Sequence, residues 1–150
     1  MIFVVGCLLA AAIILIIVVR NQPLNGERIV HGYQPLKEET IKAEEICSSF
    51  DLPEGSKRLN TDISSKSYSG LVTNHYSTDL HCLDADLFFK QYLQNSGWSL
   101  REAERSSFLI LWPETRSEYS RENFSAYIYC QEMKDYRGIR HLKVACGWRE

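Results

Sequence analysis

The stretches Asn123-Phe-Ser-Ala-Tyr-Ile-Tyr-Cys-Gln-Glu-Met133 and Ile139-Arg-His-Leu-Lys-Val-Ala-Cys-Gly-Trp148 decide the fold class. Each alternates apolar and polar residues with the period of two that a β-strand imposes. Phe124, Ala126, Ile128 and Cys130 share one face of the first stretch. Leu142, Val144, Cys146 and Trp148 share one face of the second. Asp135-Tyr-Arg-Gly138 lies between them and carries turn residues, so the two stretches read as a hairpin. With those faces turned inward, Tyr127 and Tyr129 point outward, and His141 falls opposite Cys146.

Upstream, Trp98 to Glu102 and Ser107 to Trp112 read as two further strands, followed by a polar loop from Pro113 to Glu122. Asp84-Ala-Asp-Leu-Phe-Phe-Lys-Gln-Tyr-Leu-Gln-Asn95 reads as a helix. Asp84 suits its cap, Phe88 with Tyr92 and Phe89 with Leu93 stand four apart, and Gly97 supplies the stop. Ser67 to Ser77 and Arg58 to Ile63 read as strands. A first helix runs from Pro35 to Phe50, where Ala43, Ile46, Cys47 and Phe50 form one apolar stripe. Helix, strands, helix and four strands predict an α+β architecture, an antiparallel sheet with two helices packed on it.

The first nineteen residues, Met1-Ile-Phe-Val-Val-Gly-Cys-Leu-Leu-Ala-Ala-Ala-Ile-Ile-Leu-Ile-Ile-Val-Val19, carry no charge. As a helix at ~1.5 Å per residue they cover roughly 27 Å, about the hydrocarbon thickness of a bilayer. A cleaved signal peptide would have a basic n-region and a small-residue cleavage site. Here no basic residue precedes Arg20, and Ala10-Ala11-Ala12 is followed by more apolar chain. The expectation is a transmembrane helix in residues 1–20, a tether in 21–34 holding Pro23, Gly26 and Gly32, and a globular domain in 35–150. Arg20 and Arg28 on the C-terminal flank favour a cytoplasmic domain. The cysteines and the Ser- and Tyr-rich character favour the extracytoplasmic, periplasmic side, which is the reading we adopt.

The chain carries a net charge of −2, and no basic patch points to nucleic acid. Cys47, Cys82, Cys130 and Cys146 form an even set outside the apolar segment. They allow two disulfides in three connectivities. Inward parity on both hairpin strands favours Cys130 with Cys146, leaving Cys47 for Cys82. There is no Cys-x-x-Cys, no phosphate loop, no dinucleotide fingerprint and no nucleophile elbow. His75, His81 and Cys82, with Asp79 and Asp84 nearby, are metal-ligating types, but their spacing matches no zinc pattern. Glu38, Glu39, Glu44 and Glu45 read as a solvated helix face. No catalytic, cofactor-binding or metal residue is therefore assigned, and no cofactor is expected.

Tyr76-Ser-Thr-Asp79, Phe88-Phe-Lys-Gln-Tyr-Leu93 and Gly97-Trp98, with Pro53-Glu-Gly-Ser56 upstream, resemble a pattern in small bacterial exported or membrane-anchored proteins. In that pattern a strand leads into a helix that ends in Gly-Trp and re-enters the sheet. The resemblance implies an architecture and no activity. Pilin-like proteins are similar in having an apolar N-terminal segment, a sheet domain and a C-terminal disulfide. This chain departs from them with Val5 where Glu is usual, and with Pro23 to Gly32 interrupting a long helix. Tyr119, Tyr127, Tyr129 and Tyr136 gather in the C-terminal third as a candidate partner surface. The resulting expectation is a non-enzymatic, single-pass accessory protein of a larger membrane assembly, whose partner is an integral membrane protein. A membrane-tethered ligand-binding domain or a pilin-like component is the alternative.

Overall fold

The computed structural model describes residues 26–107, 113–135 and 138–149. The apolar segment 1–19, the expected strand end 108–112 and Tyr136 lie outside these residues. Three elements open the domain: β1 (Glu27–Gly32), α1 (Glu38–Ser48) and β2 (Lys57–Ser65). They are followed by β3 (Ser69–Thr78), α2 (Cys82–Asn95), β4 (Ser99–Ser107), β5 (Pro113–Arg121), β6 (Phe124–Gln131) and β7 (Arg140–Arg149).

All seven strands form one sheet in the order β1-β2-β3-β7-β6-β5-β4. β1 pairs with β2 in parallel, and every other neighbour is antiparallel. The expected architecture is thereby corrected. The domain is mostly sheet, and the sheet is mixed rather than antiparallel. The cause is the β1–α1–β2 unit, in which the helix carries the chain back to its starting end, so the two neighbouring strands run the same way. Residues 27–32, read as tether for their flanking glycines, are that first strand. Among the described residues no helix is long and apolar enough to cross a membrane.

Both helices lie on one face of the sheet, α1 against β3 and β7, α2 against β4, β5 and β6. α1 begins three residues after Pro35 and buries Thr40, Ala43 and Cys47 on one stripe. α2 buries Cys82, Ala85, Phe89 and Leu93. Phe88 and Tyr92 stack beside that stripe rather than within it, and Phe50 meets Tyr92 and Trp98 edge-on. The helix stops as expected, with Gly97 at φ +84 and the Trp98 amide donating to Leu93 O.

The start of α2 differs from the expectation. Asp84 sits in its first turn, and the amide of Cys82 donates instead to Glu132 Oε2 at 2.7 Å. The same carboxylate accepts from His81 Nδ1 at 2.6 Å and pairs with Arg140 Nη2 at 2.8 Å. Arg140, nearly buried, also donates to the carbonyls of Asp79 and Leu80. This node ties the β3–α2 connection to β6 and β7.

Residues 113–121, expected as a polar loop, are β5. Thr115, Ser117 and Tyr119 point into the core, and Ser117 donates to Asp86 Oδ1 at 2.6 Å. The inward stripe is mostly hydroxyls, so the strand carries no apolar alternation to betray it.

The inner faces of the β6–β7 hairpin are those expected, yet the cysteine pairing is not. Cys130 stands opposite Leu142, while Cys146 stands opposite Ala126. Four residues of strand separate the two, roughly 13 Å, beyond what a disulfide spans. Cys130 is joined instead to Cys82 at the start of α2, with Cα atoms 5.4 Å apart. Cys47 and Cys146 are buried thiols.

Candidate functional site

The sheet face opposite the helices is uncovered by any described element. Strand alternation and register fix what it presents. One row runs Arg116, Tyr129, Lys143, His75 and Asn60 from β5 to β2. The adjacent row runs Glu118, Tyr127, Ala145, Thr73 and Asp62. Tyr127 and Tyr129 are half-buried and stand side by side on β6.

Three polar groups on this face have partners within reach. Lys143 Nζ sits 5.3 Å from the centre of the Tyr129 ring, a cation–π contact. His75 Nε2 lies 2.9 Å from Asp62 Oδ2, and His141 Nε2 lies 3.0 Å from Asp135 Oδ2. Burial lowers the pKa of His75, helped by the charges of Lys143 and His141, and this outweighs the pull of Asp62. Burial, then its hydrogen bond to the Glu114 carboxylate, pushes the Tyr129 phenol up to about 12. The phenol therefore stays a neutral donor across the physiological range.

At one end the face deepens into a cavity of about 870 Å³ lined by Leu71, Glu102, Glu118, Tyr127, Gly147 and Arg149. A side chain at Gly147 would press on Leu71 and on the Gly70 carbonyl, so the bare backbone there forms the floor. A second cavity of about 340 Å³ lies round the corner, between Lys42 of α1 and Phe124, Trp148 and Arg149.

Of the four tyrosines expected at a partner surface, the structure places Tyr127 and Tyr129 on this face. Tyr119 is corrected to a core residue at 0% exposure. It sits on the inward stripe of β5, and its phenol is pushed up to about 12 by burial and the nearby charge of Asp86. Tyr136 lies outside the described residues. The metal-ligating types do not converge. Cys82 is in the disulfide, His81 bonds Glu132 and His75 bonds Asp62. Among the described residues no group of three or more His, Cys, Asp or Glu could hold a metal ion. Lys143 and Arg116 went unread as site residues. Hairpin register places them on either side of Tyr129, and parity alone, without register, does not.

Among protein-family models, curated proteins and solved structures, none matches the chain.

Proposed function

We propose that this chain is a non-catalytic interaction protein held at a membrane, and that its open sheet face docks a protein carried in the same membrane. One observation carries the reading: Tyr127 and Tyr129, with Lys143 stacked on Tyr129, stand on a sheet face that no described element covers. Tyrosine supplies rigid amphipathic area and is enriched at protein interfaces. Lys143, His75 and His141 already have partners there, so docking against the face does not strip them of every contact. The uncharged run 1–19 supports the membrane location through its length and composition. The Cys82–Cys130 disulfide is compatible with an exported domain, which supports the extracytoplasmic side.

A ligand-binding domain of this architecture would need an apolar cavity between α2 and the sheet. Phe89 and Leu93, each 0% exposed, fill that contact.

A photo-crosslinking residue at position 127 or 129 of the full chain, in its native membrane, tests the proposal. The expected result is an adduct with a membrane protein from both positions and none from position 90, which is exposed on α2. The paired substitution Tyr127→Ala and Tyr129→Ala should abolish the adduct formed from position 73 on the same face. Equal labelling from position 90, or none from 127 and 129, would overturn it.

A further inference from the structure

We infer that Cys47 and Cys146 are the two halves of a second disulfide, formed by oxidation, that fastens α1 to the centre of the sheet. Buried cysteines more often serve as small apolar residues. These two differ in lying at one point of the sheet. Cys47 is 1% exposed and Cys146 0%. The Cys47 thiol donates to Val144 O at 3.4 Å, and Val144 precedes Cys146 by two residues on the same face of β7. Its other acceptor, Val72 O at 3.9 Å, belongs to the residue of β3 that stands opposite Cys146. The Cys47 thiol therefore lies between the β3 residue that faces Cys146 and the β7 residue two before it. The remaining pair, Cys82 and Cys130, is already joined, so an oxidant able to form the first bridge meets a second pair set for the same chemistry.

The oxidant is a disulfide carrier, either a thiol–disulfide oxidoreductase or glutathione disulfide. One cysteine, as its thiolate, attacks the carrier disulfide, giving a mixed disulfide and releasing one carrier thiol. The second cysteine then displaces the other carrier thiol. Two protein S–H bonds and one carrier S–S bond break, while one protein S–S bond and two carrier S–H bonds form. The protein loses two electrons and two protons, and the carrier gains them. Burial, then contact with Cys47, drives the Cys146 thiol far above its ordinary range. With both cysteines buried, the docked state admits no carrier. Oxidation belongs to the moment before α1 closes over β3 and β7, and the finished bridge is then sealed from reductants.

Full-length protein in mild detergent, first reduced, is re-oxidised with glutathione disulfide at a urea concentration below its unfolding midpoint. It is then denatured, blocked with N-ethylmaleimide and mapped as non-reduced peptides. The expected map contains a cross-linked peptide pair bearing Cys47 and Cys146, at an occupancy equal to that of Cys82–Cys130. The same reaction without urea should form the pair at least tenfold more slowly. Maleimide on both Cys47 and Cys146, or either residue joined to Cys82, Cys130 or Cys7, would overturn the inference. Cys47→Ala should retain Cys82–Cys130 and leave Cys146 labelled. Should that variant not fold, the wild-type map still decides.

Discussion

Replacing Glu132 with Gln isolates one charge at the node where the second helix begins. The carboxylate receives the Cys82 amide, His81 and Arg140. His81 is 73% exposed on its side chain, and its pairing contributes little in water. Arg140 matters more, because its side chain is only 7% exposed and Glu132 is the acid paired with it there. Stripping a nearly buried guanidinium of its counter-charge costs about 3–5 kcal/mol where both partners are buried. Glu132 is 20% exposed, and Gln still accepts through its amide oxygen. Both facts reduce the loss to about 2 kcal/mol, the scale of a hydrogen bond to a charged group. For a domain of this size that lowers Tm by roughly 6–10 °C. Burial pushes the Glu132 carboxyl up, but the Cys82 amide, His81 and Arg140 together hold it below its ordinary value. Its contribution is therefore complete above the unfolded carboxyl pKa of about 4.3 and disappears as pH falls through the folded value. Urea midpoints at neutral pH and across the acid range, for wild type and Glu132→Gln, measure both effects. The two curves should converge as pH falls. A variant within about 0.5 kcal/mol of wild type at neutral pH, or a gap that persists in acid, would refute the reasoning.

Reducing Cys82–Cys130 opens a loop of sequence separation 48 and should cost up to about 4 kcal/mol by the chain-entropy estimate, read as a drop in urea midpoint with reductant. Glu122 sits at φ +54 in the two-residue turn between β5 and β6. Glu122→Gly should therefore stabilise the fold by about 0.5–1 kcal/mol, measured by thermal unfolding. Gly70→Ala should destabilise by about 2 kcal/mol in the same assay, because a methyl there meets both partners of the Trp148 Nε1 to Thr40 Oγ1 hydrogen bond. Tyr119 and Tyr129 are each raised to about 12, so stability should be full below about pH 10 and fall as pH rises toward 12. Phenolate absorbance during alkaline titration should show a late-ionising group that Tyr129→Phe removes.

The sequence made the β6–β7 hairpin legible because Phe124 to Cys130 and Leu142 to Trp148 each carry an unbroken apolar stripe. The same reasoning failed on β5, whose inward Thr115, Ser117 and Tyr119 look like loop chemistry. It failed on β1, whose six residues carry Arg28 and His31 and which borrows its structure from β2. Edge and hydroxyl-lined strands are defined by their neighbours, and a local pattern does not contain the neighbours. Disulfide pairing failed for a related reason. Parity sets which face a cysteine takes, whereas register sets its position along the strand, and register emerges only on pairing. Tyr127 and Tyr129 stand on the face expected of them because they lie on the hairpin whose parity is readable, and Tyr119 does not.

β1 also has a mechanical consequence. It has a single neighbour in the sheet, and the Arg28 to Glu44 pair at 2.7 and 2.9 Å ties it to α1. Tension from the chain preceding Gly26 reaches the domain through this strand first. A pull along the strand axis loads the β1–β2 hydrogen bonds together in shear, and a pull across the sheet opens them one after another. Either way β1 is the fuse. It can part while β2 to β7, the disulfide and the tyrosine face stay whole, so that face outlasts the first mechanical failure.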